Sequence, residues 1–228
     1  MVPINSAHRT SHDTRLLDAL AARNSSTRLQ AALAVGTHPD DGFVDALVAR
    51  CAIEPDFFVR DMLTWALTRF PPEITVPRLR AELRSEHAQA RSQALHTLSK
   101  IGDRDAWPAI TRSLLHDADD EVARSAWRAA VVLVPAGEES GLAGELAAQL
   151  GRGDRDMRRS LSRALVTLGE VIEPALQTGL ASADPAVRAH ARATQRLLRD
   201  PDAGFDPDVD EAKRIVALGP ERAEETAC

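Results

Sequence analysis

The stretch ADPAVRAHARATQRLLRDP, residues 183–201, decides the fold. An Asp stands four residues ahead of an Arg, small and apolar residues recur at helical spacing, and a Pro closes the phrase. Asp184 suits a helix N-cap, because its carboxylate accepts from an orphan backbone N–H. Pro201 suits a helix end, since it lacks the N–H that the next turn needs.

The phrase recurs upstream. Aligned on Arg28, Arg60, Arg91, Arg124, Arg158 and Arg188, its copies follow at steps of 32, 31, 33, 34 and 30 residues, a near-constant period that marks a repeat array. Four residues before each Arg stand Asn24, Asp56, His87, Asp120, Asp154 and Asp184, all but His87 good N-caps. Eleven residues after the first five come Pro39, Pro71, Gly102, Pro135 and Gly169, each a helix stopper. In the last copy Arg199 takes that place, with Pro201 just beyond.

Apolar positions repeat with the frame. Three residues after Arg come Ala31, Leu63, Ala94, Trp127, Leu161 and Ala191; seven after come Val35, Leu67, Leu98, Val131, Leu165 and Gln195. Steps of three and four put these on one helical face. Six after Arg the residue is always small, which lets helices approach closely. An apolar segment precedes each of these helices: TRLLDALAAR, GFVDALVARCAI, ITVPRLRAELR, AWPAITRSLL, ESGLAGELAAQL and VIEPALQTGL. Pro77, Pro108 and Pro174 fall near the starts of three of them, where a missing N–H costs least. Each unit is therefore expected to be a helix, a turn and a second helix, with Trp107 and Trp127 in the core.

Composition agrees. The 228 residues are 44% hydrophobic and 4% aromatic, rich in Ala and Leu, which favour helix. Period-two β-branched runs, the signal of strands, are absent. Net charge is −6, against a generally basic nucleic-acid surface. Cys51 and Cys228, far apart, build neither a disulfide framework nor a Cys-rich zinc site. No apolar window reaches signal-peptide or membrane-span length. The expected setting is the cytoplasm, with no membrane association.

The phrases DFFVRDMLTWAL, DADDEVARSAWRAAVVL and DPAVRAHARA resemble the HEAT repeat, in particular the bacterial form related to phycobilin-lyase HEAT-like repeats. The resemblance implies an all-α, right-handed α-α superhelix of about six helix pairs. The expected organisation is a flexible tail over 1–12 and six repeats over 13–200. An acidic linker and a C-terminal cap helix follow over 201–218, then a second flexible tail over 219–228. Asp208 with Glu211 fits a capping box for that last helix. The resemblance also implies that second helices line a concave groove where partners bind.

By the 100° step, positions one, four, five and eight after Arg face away from the apolar stripe. They bring Asp61, Trp65 and His96, then Arg128, Arg159, Arg163, Arg192 and Arg196, to the groove as candidate binding residues. Thr64, Ser92, Leu95, Ser125 and Ser162 fall on the same side. Such a groove suits a protein or peptide partner with acidic groups, and Trp65 is a candidate anchor or a wedge between helices. The six frame arginines are expected as a structural ladder bonding carboxylates or carbonyls, with phosphate binding as the alternative.

No nucleophile, phosphate-loop or zinc-protease motif occurs. His8 and His12 lack a third ligand, and residues 200–211 depart from a calcium loop at positions five and six. No catalytic residue, metal or cofactor is therefore assigned. The function expected is a non-enzymatic scaffold or adaptor. The alternatives are a DNA-binding protein, such as a HEAT-like alkylpurine DNA glycosylase, and a regulatory module for a small anionic ligand.

Overall fold

Helix starts are set by caps. In the computed structural model, which describes residues 4–200 with side chains from His12 onward, every described element is helical. The helices are α1 Ile4–Leu20, α2 Ser25–Thr37, α3 Val44–Ile53, α4 Phe57–Leu67, α5 Pro72–Glu82 and α6 Ala88–Ile101. They continue with α7 Arg112–Leu115, α8 Asp120–Leu133, α9 Glu139–Ala147, α10 Arg155–Thr167, α11 Glu173–Leu180 and α12 Pro185–Arg199. Short 3₁₀ turns lie at Asp41–Phe43, Arg104–Ala109 and Gly169–Ile172. The expected cap helix and second tail fall outside the described residues. α1 opens at Ile4, ahead of the boundary expected at residue 13, because no Gly or Pro interrupts the chain between Pro3 and Leu20.

The side chains of Asn24, Asp56, Asp154 and Asp184 cap α2, α4, α10 and α12 by accepting backbone N–H bonds. Each such bond stabilises its helix by about 1 kcal/mol. His87 makes no side-chain cap bond. In α8 the expectation is corrected: the cap is Asp119, not Asp120, and it accepts from Glu121 and Val122 at 3.0 and 3.1 Å. The adjacent Asp119 and Asp120 can both cap, and the upstream one of the two does.

The chain divides into two units, Met1–Ala109 and Ile110–Cys228. Within the first, α1, α3 and α5 pack side by side in one layer and α2, α4 and α6 in the other. Within the second, α7, α9 and α11 form one layer and α8, α10 and α12 the other. The seam falls in the first helix of the fourth repeat, which is broken into the 3₁₀ turn Arg104–Ala109 and the short α7. Pro108 sits inside that turn. Having no N–H, it cannot carry an α-helical ladder from residue 104 to residue 115. Trp107, on the turn, is half-buried rather than in the core.

Leu63, Leu67, Leu95 and Leu98 fill the first core, and Leu133, Leu161, Leu165 and Ile172 the second. Each such side chain contributes about 1.5–3 kcal/mol when taken out of water. Trp127 is fully buried, its indole donating to the Leu115 carbonyl at 2.8 Å, so its one polar atom is satisfied.

Candidate functional site

Four frame arginines share one geometry. The Nη1 atoms of Arg28, Arg60, Arg91 and Arg188 each donate to the carbonyls six and five residues back: Ala22 and Arg23, Glu54 and Pro55, Ser85 and Glu86, Ser182 and Ala183. Each thereby ties the inter-helix turn to the first turn of its own second helix. Arg124 differs, donating to Glu121 at 2.8 Å, because the upstream cap turns α8 by one residue. Arg158 also differs. Its loop passes through Gly151 and Gly153, both at positive φ, and its Nε is buried without a hydrogen-bond partner among the described residues.

The α3–α4 turn carries a buried ionic cluster. Glu54 accepts from Arg28 Nε and Nη2 at 2.7 and 2.6 Å, from Arg50 Nε at 2.7 Å and from the Asp56 amide at 2.9 Å. Burial pushes its carboxyl up, but the bonds from Arg28, Asp56 and Arg50 prevail and hold it down at about 2. Gln89, on α6, donates to the Cys51 and Glu54 carbonyls at 3.1 and 2.9 Å, so three repeats meet at this turn. Sequence reasoning missed the cluster. The available signal was a Glu closing an apolar helix, with Arg50 four residues before it.

The frame counted from the cap, rather than from Arg, shows which side chains stand open. Nine residues after the cap come Leu33, Trp65, His96, Arg128 and Arg163, all exposed or half-exposed. Five after the cap, Asp61 and Arg159 are exposed. Arg192 and Arg196, on α12, are half-buried. Thr64, Ser92, Leu95, Ser125 and Ser162 are instead buried, correcting their place on an open face. α4 lies between α2 and α6, and α10 between α8 and α12, so in neither helix can one face hold all the buried positions.

The buried hydroxyls meet across helices. Ser162 and Thr194 lie 2.6 Å apart, and Thr64 and Thr97 lie 3.4 Å apart in the same register. Ser162 also lies 3.0 Å from Nε2 of His190. That imidazole is fully buried, receives the Gly151 amide on Nδ1 at 3.0 Å, and has Nε2 2.9 Å from the Arg158 carbonyl. The acceptor role of Nδ1 leaves the proton on Nε2. Burial lowers the pKa of His190 to about 4 and keeps it neutral, with the nearby Arg158 charge acting in the same direction.

Trp65 is 37% exposed and packs over Gly36 of α2, so the ring is both a wedge between α2 and α4 and a partly open surface. Asp61 and His96 share its unit, whereas every candidate arginine lies in the other. Arg128 reaches Ser125 at 3.2 Å. Burial lowers its pKa, and the neighbouring Arg124 charge adds to the effect. Arg159 and Arg163 make no ion pair with any described carboxylate. Exposed Phe57 and Phe58, at the start of α4, meet edge to face with centroids 5.6 Å apart. Sequence reasoning missed them, because the cap frame places both ahead of the apolar stripe.

Among the described residues no three His, Cys, Asp or Glu side chains gather where they could hold a metal ion, and no helix is long and apolar enough to cross a membrane. Buried Cys51 has its thiol pushed up to about 12, first by burial and then by Glu54. No curated protein matches the chain. Residues 54–130 match the family model of HEAT repeats, without singling out the phycobilin-lyase form. Residues 54–130 are thus HEAT repeats, and capped helix pairs are layered in the same way within both units.

Proposed function

We propose that the protein is a non-enzymatic scaffold that holds an acidic protein segment against the arginines of α8 and α10. HEAT repeats in general mediate protein–protein contacts. The observation that carries this reading is the pair Arg159 and Arg163, exposed one turn apart on α10 with no described carboxylate paired to either. Arg128 adds a third guanidinium on the adjacent α8. Planar guanidinium groups recognise carboxylates with two parallel N–H bonds, and their charge steers an acidic chain toward them.

Fluorescence anisotropy with a labelled ten-residue poly-glutamate peptide tests this. Binding should weaken as salt rises, and the R159E/R163E variant should bind at least about tenfold more weakly. Equal affinities for the two proteins across a salt titration would remove the role. Tighter binding of an alkylated DNA duplex, lost on replacing Asp61 and Trp65 by Ala, would favour the glycosylase reading instead.

A further inference from the structure

We propose that the open face of α4, in the first unit, binds a short apolar peptide segment that carries a lysine or arginine opposite Asp61. This surface and its partner are distinct from the arginine face of α8 and α10.

The first support is an aromatic stripe on the solvent side of a helix. Phe58, Met62 and Trp65 follow one another at steps of four and three, so they share one side of α4. α3, α2 and α6 pack around the rest of that helix. Phe58 is 71% exposed and Trp65 37%, while Met62 is half-buried. Phe57, 65% exposed, meets Phe58 edge to face. Leu33 of α2 holds the frame position of Trp65 and is exposed too. At about 200 Å² per ring, the three aromatics leave roughly 350 Å² of apolar surface open on this one helix. Gln30 on α2 and Gln93 on α6, in the frame position of Met62, border the stripe with polar groups. An apolar centre with a polar rim is how binding patches are built.

The second support is rigidity. Asp56 accepts the Phe58 and Val59 amides at 2.9 and 3.1 Å, and the buried Glu54 accepts the Asp56 amide at 2.9 Å. Arg60 donates to the Glu54 and Pro55 carbonyls and lies over the Phe57 ring, 6.0 Å from its centroid. The Trp65 ring is wedged over Gly36. Side chains already held in place lose little freedom on binding, and a few such aromatic anchors carry most of the energy of an interface.

The third support, charge and size, selects the occupant. Asp61 is exposed between Phe58 and Trp65 and makes no ion pair or side-chain hydrogen bond among the described residues. A partner that covers the stripe strips water from this carboxylate, and a cationic group compensates for that loss. A second copy of the chain is a poor fit. A two-fold axis through the stripe would set both Asp61 carboxylates close together, and an obligate dimer buries roughly 650 Å² or more of apolar surface per side. Anionic lipid headgroups would likewise meet Asp61 with like charge. Phe58 and Trp65 lie about 10 Å apart along the axis, a span that three or four extended residues match.

The test pans a random twelve-residue phage-display peptide library on the full chain, after depletion on full-length F58S. Recovered peptides should be rich in large apolar residues and carry a lysine or arginine. A labelled synthetic copy, followed by fluorescence anisotropy, should bind F58S and M62Q about tenfold more weakly than the parent, with both variants melting as the parent does. D61N should bind about threefold more weakly at low salt, and the difference should close at high salt. R159E/R163E should bind the peptide as the parent does, which separates this surface from the one that takes poly-glutamate. Recovery of no peptide that distinguishes the parent from F58S overturns the proposal, as does equal binding by M62Q. Peptides without a cationic residue, or equal binding by D61N at every salt concentration, overturn the pairing with Asp61. A parent dimer in sedimentation velocity that F58S dissociates would make the stripe a self-interface. Pelleting with phosphatidylcholine vesicles, lost in F58S, would make it a lipid surface. Either result overturns the peptide reading.

Discussion

Arg28 and Glu54, separated by 26 positions in sequence, form a two-pronged pair at 2.7 and 2.6 Å inside the first unit. Glu54 is fully buried and Arg28 nearly so. A pair of this kind is poor evidence of net stabilisation, because desolvating both charges offsets most of their attraction. Breaking it is another matter.

Removing Glu54 leaves Arg28 buried and uncompensated. E54L and R28M should each therefore destabilise the first unit by about 3–5 kcal/mol, while the double variant R28M/E54L should cost less than either. Urea denaturation followed by circular dichroism measures all four proteins. A double variant worse than both singles would contradict the expectation.

Acid should unfold the protein in two stages. The folded pKa of His190 is about 4 against an ordinary 6.5, so the unfolded chain binds more protons between those values. Stability is complete above pH 6.5 and falls by about 3 kcal/mol as the pH drops to 4. Glu54, at about 2 against an ordinary 4.5, adds a loss of similar size between pH 4.5 and 2. In thermal melts between pH 7 and 4, H190Q should start lower and lose less than the parent. A parent Tm independent of pH over that window would refute the first stage.

Gly36 should not tolerate a methyl group. A Cβ there would run into the Trp65 ring and lie 2.9 Å from the Ala66 Cα. G36A should lose about 1–3 kcal/mol by overpacking, despite the gain of about 1 kcal/mol in helix propensity. Trimming the ring relieves the clash, so G36A and W65L should be non-additive in a double-mutant cycle. Strict additivity would mean that the ring and the glycine do not bear on each other.

Loss of the two buried hydroxyl pairs should differ in cost. S162A removes partners of both Thr194 and His190 and should cost about 1–3 kcal/mol. T64A loses one long 3.4 Å contact and should cost less. Equal losses in urea would contradict the ranking.

The helix starts were legible because a cap needs one short side-chain oxygen, and Asn24, Asp56, Asp154 and Asp184 supply it. Position 119 misled because two adjacent aspartates are chemically equivalent until packing chooses between them. The turn at Pro108 was misplaced for a related reason. Proline costs little in a first turn and removes a hydrogen bond in an interior one, where Pro77 in fact lies, inside α5 and not at its start, and only the packed boundaries say which applies. At the candidate site, exposure of Asp61, Arg159 and Arg163 followed from the 100° step alone. Thr64 and Ser162 defied it, since α4 and α10 are each flanked on both sides by second helices and bury polar positions that periodicity assigns to solvent. The Glu54 cluster was hidden because its partners come from different repeats.

The matched hydroxyls Thr64 with Thr97 and Ser162 with Thr194 also act as alignment pins. Ala-rich helix faces slide past one another at little cost, because one methyl group resembles the next. Slippage by a single residue would strand each hydroxyl in an apolar seam without a mate. The protein thus gains a penalty against misthreaded stacking from groups that contribute little to the stability of the correct one.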